Sequence, residues 1–364
     1  MNAAMSVADS AEGLAAPSAG RAMAFGSLAF ASSFTACLLA AAALAITVFG
    51  RPAVPGITLE LTHNQAPHEA SKTAAPAAVP VSQSGAIVGP VTGVVYAGRA
   101  LIADPALIEN TAVGPLPRIA DDGRKPMTVY AAPASASAKF KIAIVVSGLG
   151  TSASATKAAL AALPPAVTLG FAPYAGDVGE WAGQARAQGH EVLLQIPMEP
   201  FDFPDSDPGP NTLRAGQDEE ANLQRMRWAL SRFTGYAGVT NLLGQRFLAD
   251  SAALSPALTH LNRRGLYFFD NGAASQSAAP GVAAQVGIPA VQSNANIDSI
   301  QTATEIDRRL LELESLARTN GSAVGSASLY PVSVARIAAW AKGLQARGFV
   351  LVPVSAILPQ PSKQ

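Results

Sequence analysis

Thiols, imidazoles and charges are all scarce in this chain. Cys37 is the single cysteine among 364 residues, which excludes an intrachain disulfide, a thiolate zinc cage and an iron–sulfur site. Only four histidines occur, His63, His68, His190 and His260, so a site needing several imidazoles would have to draw on these. Charged residues make up 14% of the chain, against roughly 25% in ordinary soluble domains. The 25 basic side chains balance 25 acidic ones. With no basic surplus to neutralise phosphates, nucleic acid is not an expected partner. No G-x-S-x-G elbow, Walker loop or H-E-x-x-H pair is present.

What is abundant is apolar. Hydrophobic residues reach 49% and the mean hydropathy is +0.25, so part of the chain is expected to meet lipid. Residues 22–49 carry no charge and are bracketed by Arg21 and Arg51. Roughly 20 apolar residues span a bilayer, whereas the apolar core of a signal peptide runs about 7–15. The run therefore reads as an uncleaved transmembrane anchor behind a polar tail, 1–21. Residues 50–91 are rich in Ala, Pro, Ser and Thr and read as a flexible linker, because such a segment buries too little apolar surface to offset its chain entropy. His63 and His68 fall within it. Residues 92–138 are turn-rich and read as an extended arm packing on the domain at 139–358.

That domain alternates short apolar runs with amphipathic stretches. KIAIVV, VTLGFAP, EVLLQIP, GVTNL, LYFFD, a weak Ala290-Val291, SAVGSA and FVLVPVS read as strands. Helices are expected between them, among them 256–264 opening at Pro256, 302–319 and 332–347. Such alternation implies parallel β/α units, either an open doubly wound sheet or a barrel, with chemistry at the carboxyl ends of the strands. The residues at those ends are Ser147, Tyr174, Gln195 to Glu199, Asn241, Asp270, Ser326 and Ser328. Gly148-Leu149-Gly150-Thr151-Ser152-Ala153 matches G-x-G-x-x-A, but the next strand ends without the acid that would hold a ribose, so a tight turn is the better reading. His190 begins its strand and is expected to be structural; His260 is expected on a helix surface.

The richest stretch is GHEVLLQIPMEPFDFPDSDPGPNTL, residues 189–213. Glu199 ends a strand, and Asp202, Asp205 and Asp207 follow on a loop stiffened by Pro200, Pro204, Pro208 and Pro210. Carboxylates on a stiff loop suit cation binding, general base chemistry or contacts to sugar hydroxyls; they equally suit the capping of turns. Asp270, before Asn271-Gly272, carries the same two readings. The carboxylates taken as candidate catalytic groups are Glu199, Asp270 and Asp202. Asp205, Asp207, Asn241, Tyr174 and Ser326 are the candidate substrate contacts.

Together with IAIVVSGLG, RFTGYAGVTNLLG, RGLYFFDNG, GSAVGSASLYP and LVPVSAIL, the PMEPFDFPDSDPGPNTL segment resembles the divergent polysaccharide deacetylase family. The resemblance implies an α/β fold, a distorted β/α barrel preceded here by the transmembrane helix and linker. It also implies placement in the inner membrane with the C-terminal domain in the periplasm. The partner it implies is envelope polysaccharide or a peptidoglycan-type glycan. Hydrolytic relatives hold a divalent metal, often zinc, on one Asp and two His, and a second Asp acts as base. Here those positions fall on Ser147, Gly148 and Gln195, with Glu199 near the remaining one, and neutral side chains are poor zinc ligands. Two functions follow. One is a hydrolase of C–N amide bonds working through carboxylates. The other is a non-catalytic glycan-binding or scaffold module that keeps the cleft without the metal.

Overall fold

A computed structural model describes residues 103–134 and 139–359. The tail, the anchor at 22–49, the linker and the beginning of the arm lie outside the described residues. Among the described residues no helix is long and apolar enough to cross a membrane.

Residues 103–134 form a 3-10 turn at Pro105–Leu107, an antiparallel hairpin of β1 (Ile108–Thr111) and β2 (Gly114–Pro117), and one helical turn, α1 (Pro126–Val129). They are fastened to the body at several points. Leu107 and Leu116 are buried, and the Met127 N–H donates to the Gly265 carbonyl at 3.0 Å. The Arg264 guanidinium donates to the Glu109 carboxylate and to the Pro117 carbonyl, both at 2.8 Å.

The body is one sheet of nine strands, β3 (Lys141–Leu149), β4 (Thr168–Phe171), β5 (Val192–Met198), β6 (Gly238–Leu243), β7 (Tyr267–Asp270), β8 (Ala290–Gln292), β9 (Ala295–Asn296), β10 (Ser322–Ser328) and β11 (Val350–Leu351). Every pairing in it is parallel. Eight helices connect the strands: α2 (Ala153–Ala162), α3 (Val178–Ala187), α4 (Glu219–Leu230), α5 (Gln245–Ala249), α6 (Ser251–Arg263), α7 (Ala279–Val286), α8 (Ala303–Asn320) and α9 (Pro331–Lys342). Side chains alternate across each strand, so a strand covered on both faces must be apolar throughout. On β3, Ala143 and Val145 enter one cluster with Leu193, Tyr267, Phe269 and Val324, inside the curl of the sheet. Ile142, Ile144 and Val146 enter the other, against the helices. Each such Val, Leu or Ile side chain contributes roughly 1.5–3 kcal/mol on burial.

The strand order β8-β7-β6-β5-β4-β3-β10-β9, with β11 added to β3, places β8 and β9 at opposite edges. In a flat sheet those edges would stand about 34 Å apart, at roughly 4.8 Å per strand. Only Ser293 and Asn294 separate them in sequence, a reach of at most about 11 Å. The sheet must therefore curl, and backbone bonds fix the curl. The Ser293 N–H donates to Asp270 O on β7 at 2.8 Å, and the Asn294 N–H donates to Val324 O on β10 at 2.7 Å. The Asn294 side chain returns the bond by accepting from Val324 N at 2.8 Å. This curled parallel sheet with its helices is consistent with an α/β barrel.

Three local expectations are corrected. Helix α6 begins at Ser251, not Pro256, because the Asp250 carboxylate caps it by accepting from Ala252 N and Ala253 N at 3.0 and 3.1 Å. The last helix stops at Lys342 and gives way to a 3-10 turn, Gln345–Arg347. His260 is only partly exposed, and its Nε2 accepts from the Arg264 Nε–H at 3.1 Å.

That bond requires a neutral imidazole. Burial first, and the Arg264 charge second, hold the His260 pKa down to about 4 from an ordinary 6.5. Between those values the unfolded chain binds the proton and the folded chain does not, so stability falls as pH drops through the window. Denaturant unfolding of the purified chain is expected to lose about 2 kcal/mol between pH 6.5 and pH 4 through this group. His260→Asn is expected to flatten that part of the profile; an unchanged slope would contradict the assignment.

Candidate functional site

The carboxyl ends of the strands enclose a cleft of about 290 Å³, lined by residues that include Ser147, Gln195, Asn271, Asp298, Ser326 and Tyr330. Register explains the convergence. Gln195 pairs with Thr240, Ser147 with Gly170 and Ser328, and Ser326 with Asn296, and paired residues of neighbouring strands share a face. Ser147 approaches β4 so closely that a Cβ at Gly170 would lie 2.8 Å from its Oγ. Glycine at that register position lets the two strands meet.

At the floor, Gln195 is 2% exposed and its Oε1 accepts from the Gly148 N–H at 2.8 Å. Its Nε2 has no partner among the described residues and is not sealed from the cleft, so it is a free donor. The Ser147 Oγ beside it is buried and also lacks a partner. Along the β10 wall, Ser326 Oγ donates to Asn271 O at 2.7 Å and accepts from Ser293 Oγ at 3.2 Å.

Among the described residues Asp298 is the single carboxylate lining the cleft, and no Lys, Arg or His lines it. One of its oxygens accepts from Ser328 N and from Ser333 Oγ, both at 2.7 Å. Burial pushes this carboxyl above the usual carboxylate range, against the pull of those bonds. Reading along strands misses Asp298, because β9 is two residues long and Asp298 lies just beyond it. The hint was the alternation of polar Asn294, Asn296 and Asp298 ahead of a helix N-cap.

Of the residues expected from sequence, Ser147, Gln195 and Ser326 meet in the cleft; the others do not line it. Glu199 is 4% exposed and fastens a loop: its Oε2 accepts from Ala215 N at 2.7 Å, its Oε1 faces Arg246 at 3.4 Å, and its carbonyl accepts from Arg246 N and Phe247 N. Asp202 accepts from Ser206 Oγ, and Asp207 from Gly209 N at 2.8 Å, while Asp205 is exposed with them. The Asp202 and Asp207 carboxylates thus bond within their own loop, the turn-capping alternative. Asp270 faces the opposite side of β7 and holds Gly272 N and Gln292 Nε2, so its neighbour Asn271 takes the place in the cleft. Tyr174 packs on Trp228 at 5.3 Å between ring centres. Asn241 is fully buried, and its Nδ2 donates to Leu243 O at 2.6 Å and Asn271 Oδ1 at 2.8 Å. Leu243 has φ +56°, a conformation an aliphatic residue adopts only under constraint. Asn241 supplies that constraint from behind. His190 is buried, with Nδ1 2.8 Å from Val167 O, and burial lowers its pKa.

These donors do not fit a zinc ion. The Gln195 carbonyl is already engaged, Ser147 is a neutral hydroxyl, and Asp298 lies between two donors of its own chain. Among the described residues no group of three His, Cys, Asp or Glu stands where it could hold a metal.

Replacing Asn241 by Ala leaves the Asn271 N–H and the Leu243 carbonyl without their partners. The expected cost is about 3 kcal/mol in unfolding free energy, measured by denaturation, since each orphaned buried group costs roughly 1–3 kcal/mol. A loss below about 0.5 kcal/mol, the range of an ordinary surface change, would contradict the positioning role.

Sequence relatives and a solved structure resemble this chain. It is 25% identical over 225 residues, 61% of this chain and 68% of the relative, to the uncharacterized protein YibQ of Escherichia coli. An uncharacterized protein of Haemophilus influenzae is 24% identical over 207 residues, 57% of this chain and 73% of its own. The crystal structure of uncharacterized protein ATU2773 from Agrobacterium tumefaciens superimposes with a TM-score of 0.66 at 42% identity, covering 67% of this chain and 99% of that one. Residues 144–358 match the family described as divergent polysaccharide deacetylase, and the chain belongs to that family.

Proposed function

We propose that this protein is a membrane-anchored glycan-binding member of its family, acting in the cell envelope, whose strand-end cleft recognises acetamido sugars without hydrolysing them. The observation that carries this reading is the Gln195 amide. It stands at the cleft floor with its carbonyl tied to Gly148 and its N–H group free. A neutral donor of this kind suits the carbonyl of an N-acetyl group. The hydroxyls of Ser326 and Ser328 and the carboxylate of Asp298 supply further sugar contacts around it.

Hydrolysis of an unactivated amide needs a strong nucleophile and stabilisation of the oxyanion that forms. The carboxylates expected to provide the chemistry, Glu199, Asp202 and Asp270, do not share a cleft, which favours binding over turnover. The uncharged run at 22–49 supports an anchor in the inner membrane with the domain at 139–358 held on the periplasmic side by the linker.

Calorimetry of the full chain, purified in detergent, tests the proposal with chitooligosaccharides as the probe. Saturable binding without release of acetate is expected. Gln195→Ala is expected to weaken binding about tenfold, the equivalent of one good hydrogen bond. Acetate released when zinc is supplied would overturn the non-hydrolytic reading.

A further inference from the structure

Asp298 is 4% exposed and carries the one carboxylate among the described residues that line the cleft. Its Oδ2 is pinned from two elements, by Ser328 N on β10 and by Ser333 Oγ on α9, both at 2.7 Å. The backbone leading to it is fixed as well, since Ile297 N donates to Ser326 O at 2.8 Å and Asp298 N to Asn296 Oδ1 at 3.2 Å. The carboxylate is therefore held in one orientation. Its other oxygen, Oδ1, accepts no hydrogen bond from any other described residue and is not sealed from the cleft.

No positive charge among the described residues answers it. No Lys, Arg or His lines the cleft, and the arginines of the neighbouring helices are engaged elsewhere. On α8, Arg308 and Arg309 pair with Glu305 and Glu312, and Arg336 on α9 pairs with Asp307. Burial pushes the Asp298 carboxyl up, and only hydrogen bonds from neutral groups pull it back. A buried charge is costly unless it is paired, so a cation arriving at Oδ1 gains more than it would at an exposed acid.

Which cation fits follows from the acceptors on offer. A divalent metal takes six or more oxygens, usually several of them carboxylates, and no second acid among the described residues lines the cleft. An ammonium has three donors to place. Asp298 Oδ1 supplies a charged acceptor for one. The hydroxyls of Ser328 and Tyr330, which line the same cleft and make no hydrogen bond among the described residues, supply neutral acceptors for the others. We propose that Asp298 binds the ammonium of an amino sugar, so that the cleft selects a partly deacetylated glycan, with an acetamido group at Gln195 and a free amine at Asp298. This rests on the glycan reading above and deepens it, since the neutral amide alone would take a fully acetylated ligand as readily.

Calorimetry of the full chain, purified in detergent, compares glucosamine disaccharides below the pKa of the sugar amine: the doubly acetylated form and each singly acetylated form. The tighter of the singly acetylated forms is expected to bind at least about tenfold better than the doubly acetylated one, the scale of one charge-assisted hydrogen bond. Asp298→Asn keeps an oxygen for Ser328 N and Ser333 Oγ and is expected to abolish that gap. Binding of the doubly acetylated sugar by the same variant shows that it is folded. Equal or weaker binding of both singly acetylated forms by the unaltered chain, or a gap that survives in Asp298→Asn, overturns the proposal and leaves the Gln195 reading standing. Saturable heat from sodium, potassium or magnesium chloride alone, lost in Asp298→Asn, assigns the carboxylate to an inorganic ion and overturns it too. A gap that depends on Asp298 while all binding is indifferent to Gln195→Ala supports the amine site and counts against the Gln195 reading, so the two fail separately.

Discussion

The join at Ser293 and Asn294 governs this fold. Two residues bridge the two edges of an eight-strand path, and their backbone groups bond to β7 on one side and β10 on the other. Without that join Asn271, which follows β7, would lie far from Asn296, Asp298 and Ser326 on the β9 and β10 side of the sheet. With it they stand in one cleft beside Ser147 and Gln195. Ser293 also extends the join into the site, because its hydroxyl donates to Ser326. Closure and site construction are the same structural event.

The opposite end of the sheet is closed by different means. Glu191, fully buried at the start of β5, accepts from Tyr267 OH at 2.8 Å, Ala132 N at 3.1 Å, Ser355 N at 3.1 Å and the Ser355 hydroxyl. Burial raises its carboxyl, and the Ser355 and Tyr267 hydroxyls pull the other way. One carboxylate thus ties the segment at 132, the chain near 355 and β7 to the floor. A buried acid without those donors would be costly, and with them it specifies where both segments attach. The charged chemistry of the domain is used for holding the fold, while its mouth is left nearly neutral.

Much of this was legible in the sequence, and the illegible part has definite causes. Runs such as KIAIVV announce strands because both faces of a parallel sheet are covered. The positions of Ser147 and Gln195 followed from strand ends alone. Asp270 and Asn271 could not be ranked the same way, since the period of two in a strand gives alternation without saying which set faces inward. Asp298 escaped because β9 carries no apolar run. Glu199 was misleading for a different reason: a buried carboxylate at a strand end looks alike whether it meets a ligand or staples a loop. The acidic loop followed its plainer reading, with Asp202 and Asp207 capping their own turns.

The central claim is that a free amide donor at Gln195, in place of a metal, meets the ligand. The most direct measurement is the side-chain amide resonance of Gln195, assigned by its loss in Gln195→Ala, followed while a chitooligosaccharide is added to the labelled protein. A saturable shift of that signal, with no response to zinc, is the predicted result. A signal that moves with zinc and stays still with sugar would contradict the account.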